Sequence, residues 1–457
     1  MSAPAPAMLS LIGNTPLVEL TRFDTGPCRL FLKLENANPA GSIKDRVGRS
    51  LIEAAERDGK LKPGGTIVEA TAGNTGLGLA LVAAAKGYKL ILVIPDKMAL
   101  EKIAHLRAMG AEIRMTRSDV GKGHPEYYQD MALKLASEIP GAIYVNQFSN
   151  PANPEAHETT TGPEIWEQMN HDVDAVICGV GSGGTLTGLG RFFAKHSPKT
   201  KMVLADPKGS ILADLVNTGK HGPAGSWAIE GIGEDFVPDV CDLSFTNEAI
   251  TIDDGESLRT ARDLLQKEGI LGGSSTGTLL ATALRWCRKQ TEPKRVVTFV
   301  CDTGNKYLSK QYSDFWMAEQ GFLPRNSRGD LTDLISRPHE IGGTVVVAPA
   351  DTLLTAYKRM RVADVSQLPV LDDEGNMVGL VDESDVLMTV LDDPTRFSRP
   401  VSSAMTKNIE TIAPDGQITD LYRIFDRGYV AVVMDKGKFQ GLITRVDLLN
   451  NLRRKLP

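Results

Sequence analysis

The chain has 457 residues, 42% hydrophobic and 24% charged, a balance that suits a soluble globular protein too long for one core. Its formal net charge of -6 gives no basic footprint for nucleic acid, and no apolar run is long enough to span a bilayer, so neither partner class is expected. The opening MSAPAPAMLSLIGNTPLVEL lacks the basic flank and sustained apolar stretch of a signal peptide, which places the expected protein in the cytoplasm.

From about residue 29 to 301, short β-branched runs alternate with amphipathic stretches. RLFLKLE, TIVEA, KLILVIP, AVICGV, KMVLADP and RVVTFVC read as strands, and the alternation implies a doubly wound α/β architecture with largely parallel strands. Five cysteines (Cys28, Cys178, Cys241, Cys287, Cys301) are scattered with no metal-ligand spacing, so they read as reduced packing residues and no metal site is expected. His105, His124 and His157 show no mutual spacing that suggests a metal site or triad, and stay unassigned.

Four Gly- or Ser-rich stretches are expected just after strands, where backbone N–H groups can converge on an anion. They are PAGSIKDR (39–46), ATAGNTG (70–76), GVGSGGTLTG (179–188) and GGSSTG (272–277). In the first, Ser42 resembles an N-cap, which puts Lys44 in the first helical turn beside the positive end of the macrodipole, an unfavourable place for a cation. The third satisfies G-x-G-x-x-G, and Asp206 follows about twenty residues on, so a nicotinamide dehydrogenase competes. Against it, at least four strand-like segments precede the fingerprint. The same loop suits one phosphate monoester, held by Gly181, Ser182, Gly183, Gly184 and Thr185. A phosphate-bearing aldehyde explains both the loop and the lysine, and pyridoxal 5′-phosphate is that kind of cofactor.

IGNTPLVEL, KLENANPAGSIKDR, ATAGNTGLGLALVAAAKGY, QFSNPANPEAHETTTGPEIW, GVGSGGTLTG, EGIGEDFVP and GGSSTG resemble, in order and spacing, the fold-type II pyridoxal-phosphate enzymes of the cysteine synthase/cystathionine β-synthase family, over roughly residues 9 to 310. The resemblance implies a two-subdomain core with parallel sheets and β-replacement on serine derivatives. It makes Lys44 the Schiff-base lysine and general base, Asn74 the amide at the ring oxygen, and Ser274 the hydroxyl at the pyridine nitrogen. Thr71, Thr75, Gln147 and the backbone of Ala72 and Gly73 would hold the substrate carboxylate. Family members often have Ser where Ala72 stands, so backbone amides must compensate. Glu234 stands where cysteine synthases usually have a small residue, and is a candidate to grip the amino group of homocysteine or else a solvated loop carboxylate. QFSNPANP is the cysteine-synthase form of its loop. Only about ten residues precede IGNTPLV, so the haem-binding extension of some relatives is missing and a haem-free enzyme is expected.

Around residues 322 to 340 the periodicity fades, which reads as a linker. Beyond it, QLPVLDDEGNMVGLVDESDVL (367–387) and YVAVVMDKGKFQGLITRVDLL (429–449) repeat one pattern, with Gly379 and Gly441 offset by 62 residues. They resemble a tandem pair of CBS domains, an α+β (Bateman) module. The expected division is a core over 1–325, a linker over 326–337, and CBS domains over 338–396 and 397–457. Asp447 and Thr444 keep a ribose-binding pattern, and Asp385 is the equivalent in the first copy. There Asp382 replaces the Thr, placing charge where a phosphate would lie, so an adenosyl ligand other than ATP, or none, is expected. The resemblance implies condensation of L-serine with L-homocysteine to cystathionine and water, with sulfide production from cysteine chemically available. An O-acetylserine sulfhydrylase with a regulatory tail and an idle ligand sensor are the rivals. A homodimer or higher homo-oligomer is expected.

Overall fold

The computed structural model describes residues 7–71, 73–96, 100–121, 123–324 and 327–453. It divides into two compact units, Met1–Leu323 and Pro324–Pro457.

The first unit holds two sheets. Strands β1 (Leu17–Glu19) and β2 (Arg29–Leu34) join β7 (Ala175–Gly179), β8 (Lys201–Pro207), β9 (Glu248–Ile252) and β10 (Arg295–Val300) in the order β1-β2-β10-β7-β8-β9. Only β1 runs antiparallel, and β10 pairs with β2 from Arg295↔Arg29 to Val300↔Leu34. The intervening chain builds an all-parallel sheet from β3 (Thr66–Ala70), β4 (Lys89–Pro95), β5 (Glu112–Thr116) and β6 (Ala142–Tyr144), ordered β5-β4-β3-β6. Every residue of TIVEA in β3 is buried, as helices on both faces of a parallel sheet require.

Close packing of helices positions the site. The helix Lys44–Arg57 crosses the helix Asn74–Lys86 with backbones in contact: a Cβ on Gly48 would lie 2.5 Å from the Gly78 carbonyl carbon, and one on Gly78 would lie 2.4 Å from the Lys44 oxygen. Only glycine permits that approach, and it sets Lys44 beside the start of the second helix. Arg46 fixes the same turn from behind. Its guanidinium pairs with Glu35 at 2.8 Å and Glu164 at 2.7 Å, and Glu164 also takes Lys33 at 2.7 Å. Such buried charges cost several kcal/mol per ion to desolvate, roughly, and are tolerated because each is paired. Burial would raise the Glu164 carboxyl, but Arg46 and Lys33 hold it down to about 2.

In the second unit, β11 (Gln367–Leu371) and β12 (Met377–Asp382) form an antiparallel hairpin. Strands β13 (Thr411–Ile412), β14 (Ala431–Asp435) and β15 (Lys438–Ile443) form the second sheet, its hairpin β14–β15 repeating the first. Gly379 and Gly441 lie inside β12 and β15, and both mark crossings. A Cβ on Gly379 would meet the Met405 sulfur at 2.8 Å, and one on Gly441 would meet Ile335 at 2.5 Å. This corrects two expected boundaries. Leu331, Leu334 and Ile335, placed in a linker over 326–337, are buried in the core of the second repeat. Val401, placed in the second domain, is buried in the core of the first. Each repeat leaves an apolar face open, and the segment ahead of the other repeat closes it.

Candidate cofactor and active site

A cavity of about 260 Å³ opens where the loops after β2, β3 and β7 converge, as ligand sites in such sheets do. Lys44 lines it as the first residue of its helix, whose N-cap is Ile43 rather than the expected Ser42; the Ser42 hydroxyl, one residue earlier, accepts the Lys44 amide at 3.2 Å. Burial lowers the pKa of its amine, while Cys301 and Asp302 act to raise it. The lysine therefore reaches the neutral, nucleophilic form more easily than a surface lysine.

The loop after β3 enters the helix Asn74–Lys86 with the Thr71 hydroxyl accepting the Gly73 amide at 3.2 Å. Thr75 donates its hydroxyl to Gln147 Oε1 at 2.6 Å, and all four of Thr71, Gly73, Thr75 and Gln147 line the cavity. Ala72 lies outside the described residues. Asn74 lines the cavity too, with Nδ2 donating to Asp302 at 2.8 Å and Oδ1 accepting from Lys306 at 2.6 Å.

The glycine loop after β7 opens the helix Gly184–His196. A Cβ on Gly181 would lie 2.5 Å from the Gly231 oxygen, one on Gly184 would lie 1.9 Å from Asn153 Oδ1, and Gly183 has φ +85°. With no side chain possible there, the amides at the helix start stay open to the cavity, which Gly181, Ser182, Gly183 and Thr185 line. Sequence reasoning left His157 unassigned, and missed Asn153. Asn153 Nδ2 donates to the Ser182 hydroxyl at 2.8 Å, and its buried Oδ1 has no partner. His157, fully buried and kept neutral by that burial, sits 3.3 Å from the Thr185 hydroxyl and 3.0 Å from that of Thr161. It belongs to a π-helical turn, His157–Thr161, a feature common beside functional sites.

GGSSTG departs from expectation twice. It follows the helix Asp254–Glu268 rather than a strand, and only one of its two serines, not the one assigned from the resemblance, lies on the cavity wall. Ser274 is off the cavity wall, its hydroxyl accepting the Glu230 amide at 3.0 Å; Ser275 lines the cavity and bonds the Cys301 sulfur. Glu234 lines the cavity, with burial and then Asp235 and Asp206 raising its pKa to about 8. Asp206, the acidic residue of the dehydrogenase reading, is spent on the Ala213 amide at 2.8 Å.

In the second unit the expected ribose residues act as caps. Asp447 accepts the Thr444 amide at 2.7 Å and its hydroxyl at 2.6 Å, and also bonds Ser336. Asp382 and Asp385 close a reciprocal capping box on the helix Glu383–Val390.

All five cysteines are free, and among the described residues no cluster could hold a metal ion. No helix among them is long and apolar enough to cross a membrane.

The residues fit pyridoxal phosphate. Side-chain-free amides at a helix N-terminus suit a phosphate, and a buried amine in the same cavity suits its aldehyde. Residues 8–302 match the model of the pyridoxal-phosphate dependent enzymes, and residues 333–392 and 401–454 each match that of the CBS domain. The chain belongs to the pyridoxal-phosphate dependent enzymes, with the fold-type II core followed by a CBS pair.

Among curated relatives it is similar to cystathionine beta-synthase of Apis mellifera, 34% identical over 97% of this chain and 90% of that one. Cystathionine beta-synthase of Dictyostelium discoideum is 36% identical over 98% and 92%. Of solved structures, a hydrogen sulfide-producing enzyme of Fusobacterium nucleatum aligns with TM-score 0.61 and 36% identity, covering 67% of this chain and all of its own. An O-ureido-L-serine synthase aligns with TM-score 0.62 and 34% identity, covering 70% and 97%.

Proposed function

We propose that the enzyme condenses L-serine with L-homocysteine to L-cystathionine and water. The reading is carried by near-full-length similarity, CBS pair included, to proteins named cystathionine beta-synthase. Pyridoxal phosphate, when bound, supplies the electron sink that makes the Cα–H bond of an amino acid acidic. The amides of residues 181–185 would hold its phosphate, and Asn74 would donate to its ring oxygen. Thr71, Thr75, Gln147 and the Gly73 amide fix the serine carboxylate, which aims the Cα–H at Lys44. The neutral Lys44 Nζ takes that proton and returns it to the departing hydroxyl, so water leaves. The homocysteine thiol then gives up its proton to Lys44 Nζ as its sulfur bonds the vacated Cβ, and Lys44 returns that proton to Cα, which restores the amino acid centre. Feeding serine alone and then homocysteine or sulfide to the holoenzyme tests this: faster sulfide than homocysteine addition would make it a cysteine synthase. Cysteine in place of serine gives sulfide, a second activity favoured by likeness to the Fusobacterium enzyme.

Ser275 is our candidate for the pyridine nitrogen, because a neutral hydroxyl there favours prompt loss of the β-substituent over storing charge on the ring. Ser275→Ala should lower turnover by about tenfold or more and shift the cofactor absorbance, the loss of one well-placed hydrogen bond at a reacting group. Ser274→Ala should leave that absorbance in place, since its hydroxyl serves the Glu230 amide. The reverse pattern in absorbance spectra and steady-state rates would return the role to Ser274.

We also infer that the CBS pair takes an adenosyl ligand through the second repeat, where a ribose competes with Thr444 and Ser336 for Asp447. Calorimetry of the full-length enzyme should rank S-adenosylmethionine and AMP above ATP, and Asp447→Ala should weaken all three. Tight ATP binding that survives Asp447→Ala would overturn the assignment.

A further inference from the structure

A second cavity, of about 620 Å³, adjoins the first and shares Gly73, Asn74 and Gly231 with it. Leu77, Leu106 and Met109 give it an apolar wall, and Lys306 and His105 line the polar side. Burial lowers the Lys306 pKa, and Asp302 and Asp45 oppose that shift. Among the described residues its ammonium donates to Asn74 Oδ1 at 2.6 Å, a neutral acceptor, and forms no ion pair. Glu230, a carboxylate on the same wall, already pairs with Lys310 at 2.7 Å. Burial and then the Lys306 charge lower the His105 pKa, so its imidazole adds a neutral donor or acceptor rather than a cation.

We propose that this second cavity binds a small monocarboxylate with an apolar body, the carboxylate taken by Lys306 and the body laid on Leu106 and Met109. A charged acceptor outbids the Asn74 amide for an ammonium, because charge-assisted bonds are roughly twice as strong as neutral ones. The competition is felt next door. Lys306 holds Asn74 Oδ1 while Asp302 Oδ2, which also accepts the Tyr307 hydroxyl at 2.8 Å, holds Nδ2. Together they fix one orientation of the amide, since a flip would set NH₂ against an ammonium and C=O against a carboxylate. A ligand that draws Lys306 away removes half of that constraint on a residue of the cofactor cavity. The site is thus an effector site, distinct from the serine carboxylate pocket at Thr71 and Gln147. Binding itself does not depend on Asn74 touching the cofactor; only the spectral readout rests on that reading.

Calorimetry of the holoenzyme with straight-chain carboxylates from acetate to hexanoate, without amino-acid substrate, tests the site. Affinity should rise by about fourfold per methylene, the transfer value of a buried CH₂. Lys306→Met should weaken hexanoate by about tenfold or more, Lys306→Arg should retain it, and saturation should shift the cofactor absorbance of the parent. Met109→Trp fills the apolar end without touching Lys306 or Asn74, and should abolish hexanoate binding with the resting spectrum kept. Absence of binding, binding independent of chain length that survives Lys306→Met, or carboxylates competing with serine equally in parent and Lys306→Met would each overturn the proposal.

Discussion

Lys44→Ala should purify as a folded protein that lacks the cofactor's visible band and has lost nearly all turnover. The expected loss is large because in the proposed reaction one amine would carry three tasks: linking the cofactor aldehyde, taking the Cα proton and delivering a proton to the leaving hydroxyl. The proton transfers alone are worth roughly 10²–10⁴-fold. The fold should survive. The amine stabilises little, since it sits buried with a depressed pKa at the positive end of a helix, and Ala is the best helix former. The turn is held instead by Ser42, by Arg46 with Glu35 and Glu164, and by the Gly48–Gly78 crossing. Borohydride treatment followed by mass spectrometry is the direct check. A cofactor adduct still fixed to the Lys44→Ala chain would move the role to another lysine, and Lys306, the other buried amine near Asn74, would be tested next.

The position of Lys44 is what made the site legible from the sequence. A cation in the first turn of a helix, between a capping serine and an amphipathic run, has a cost that asks for a compensating role. The interior strands were equally legible, because burial on both faces of a parallel sheet leaves unbroken apolar runs. In the first unit the four strands not anticipated, β1, β5, β6 and β9, are the sheet edges. EIRMT in β5 is mostly exposed, so its sequence carries no such run.

Ser274 and Ser275 could not be told apart by spacing, since consecutive residues at a helix start point about 100° apart and the pattern does not say which faces the cavity. The Thr-x-x-Asp motif at 444–447 is both a ribose signature and a capping box, and no sequence argument separates the two. The linker reading failed for a different reason. Leu331, Leu334 and Ile335 carry helical i, i+3, i+4 spacing, but so short a segment is apolar enough to pack only once the second repeat supplies the groove.

Glu234→Gln should cost about tenfold or more in kcat/KM for homocysteine, the loss of a hydrogen bond to a charged group, while leaving the serine half-reaction unchanged. The reason lies in where this acid titrates. Burial, then Asp235 and Asp206, raise Glu234 to about 8, so in the free enzyme at pH 7 it holds its proton. An arriving ammonium favours the carboxylate and pulls that pKa down, so homocysteine binding at pH 7 should release about one proton from this group. The sign then follows. As pH rises through about 8 the carboxylate is already formed, the proton release disappears and homocysteine binds more tightly, until its own amine begins to titrate. The thiol also ionises in this range, but it does so equally in Glu234→Gln, and the difference between the two pH profiles isolates the carboxylate. Sulfide carries no ammonium and should show no difference between parent and variant. Calorimetry in buffers of different ionisation enthalpy counts the proton. Equal proton release in Glu234→Gln, or an equal loss with sulfide, would show that the carboxyl group shapes the cavity without meeting the second substrate.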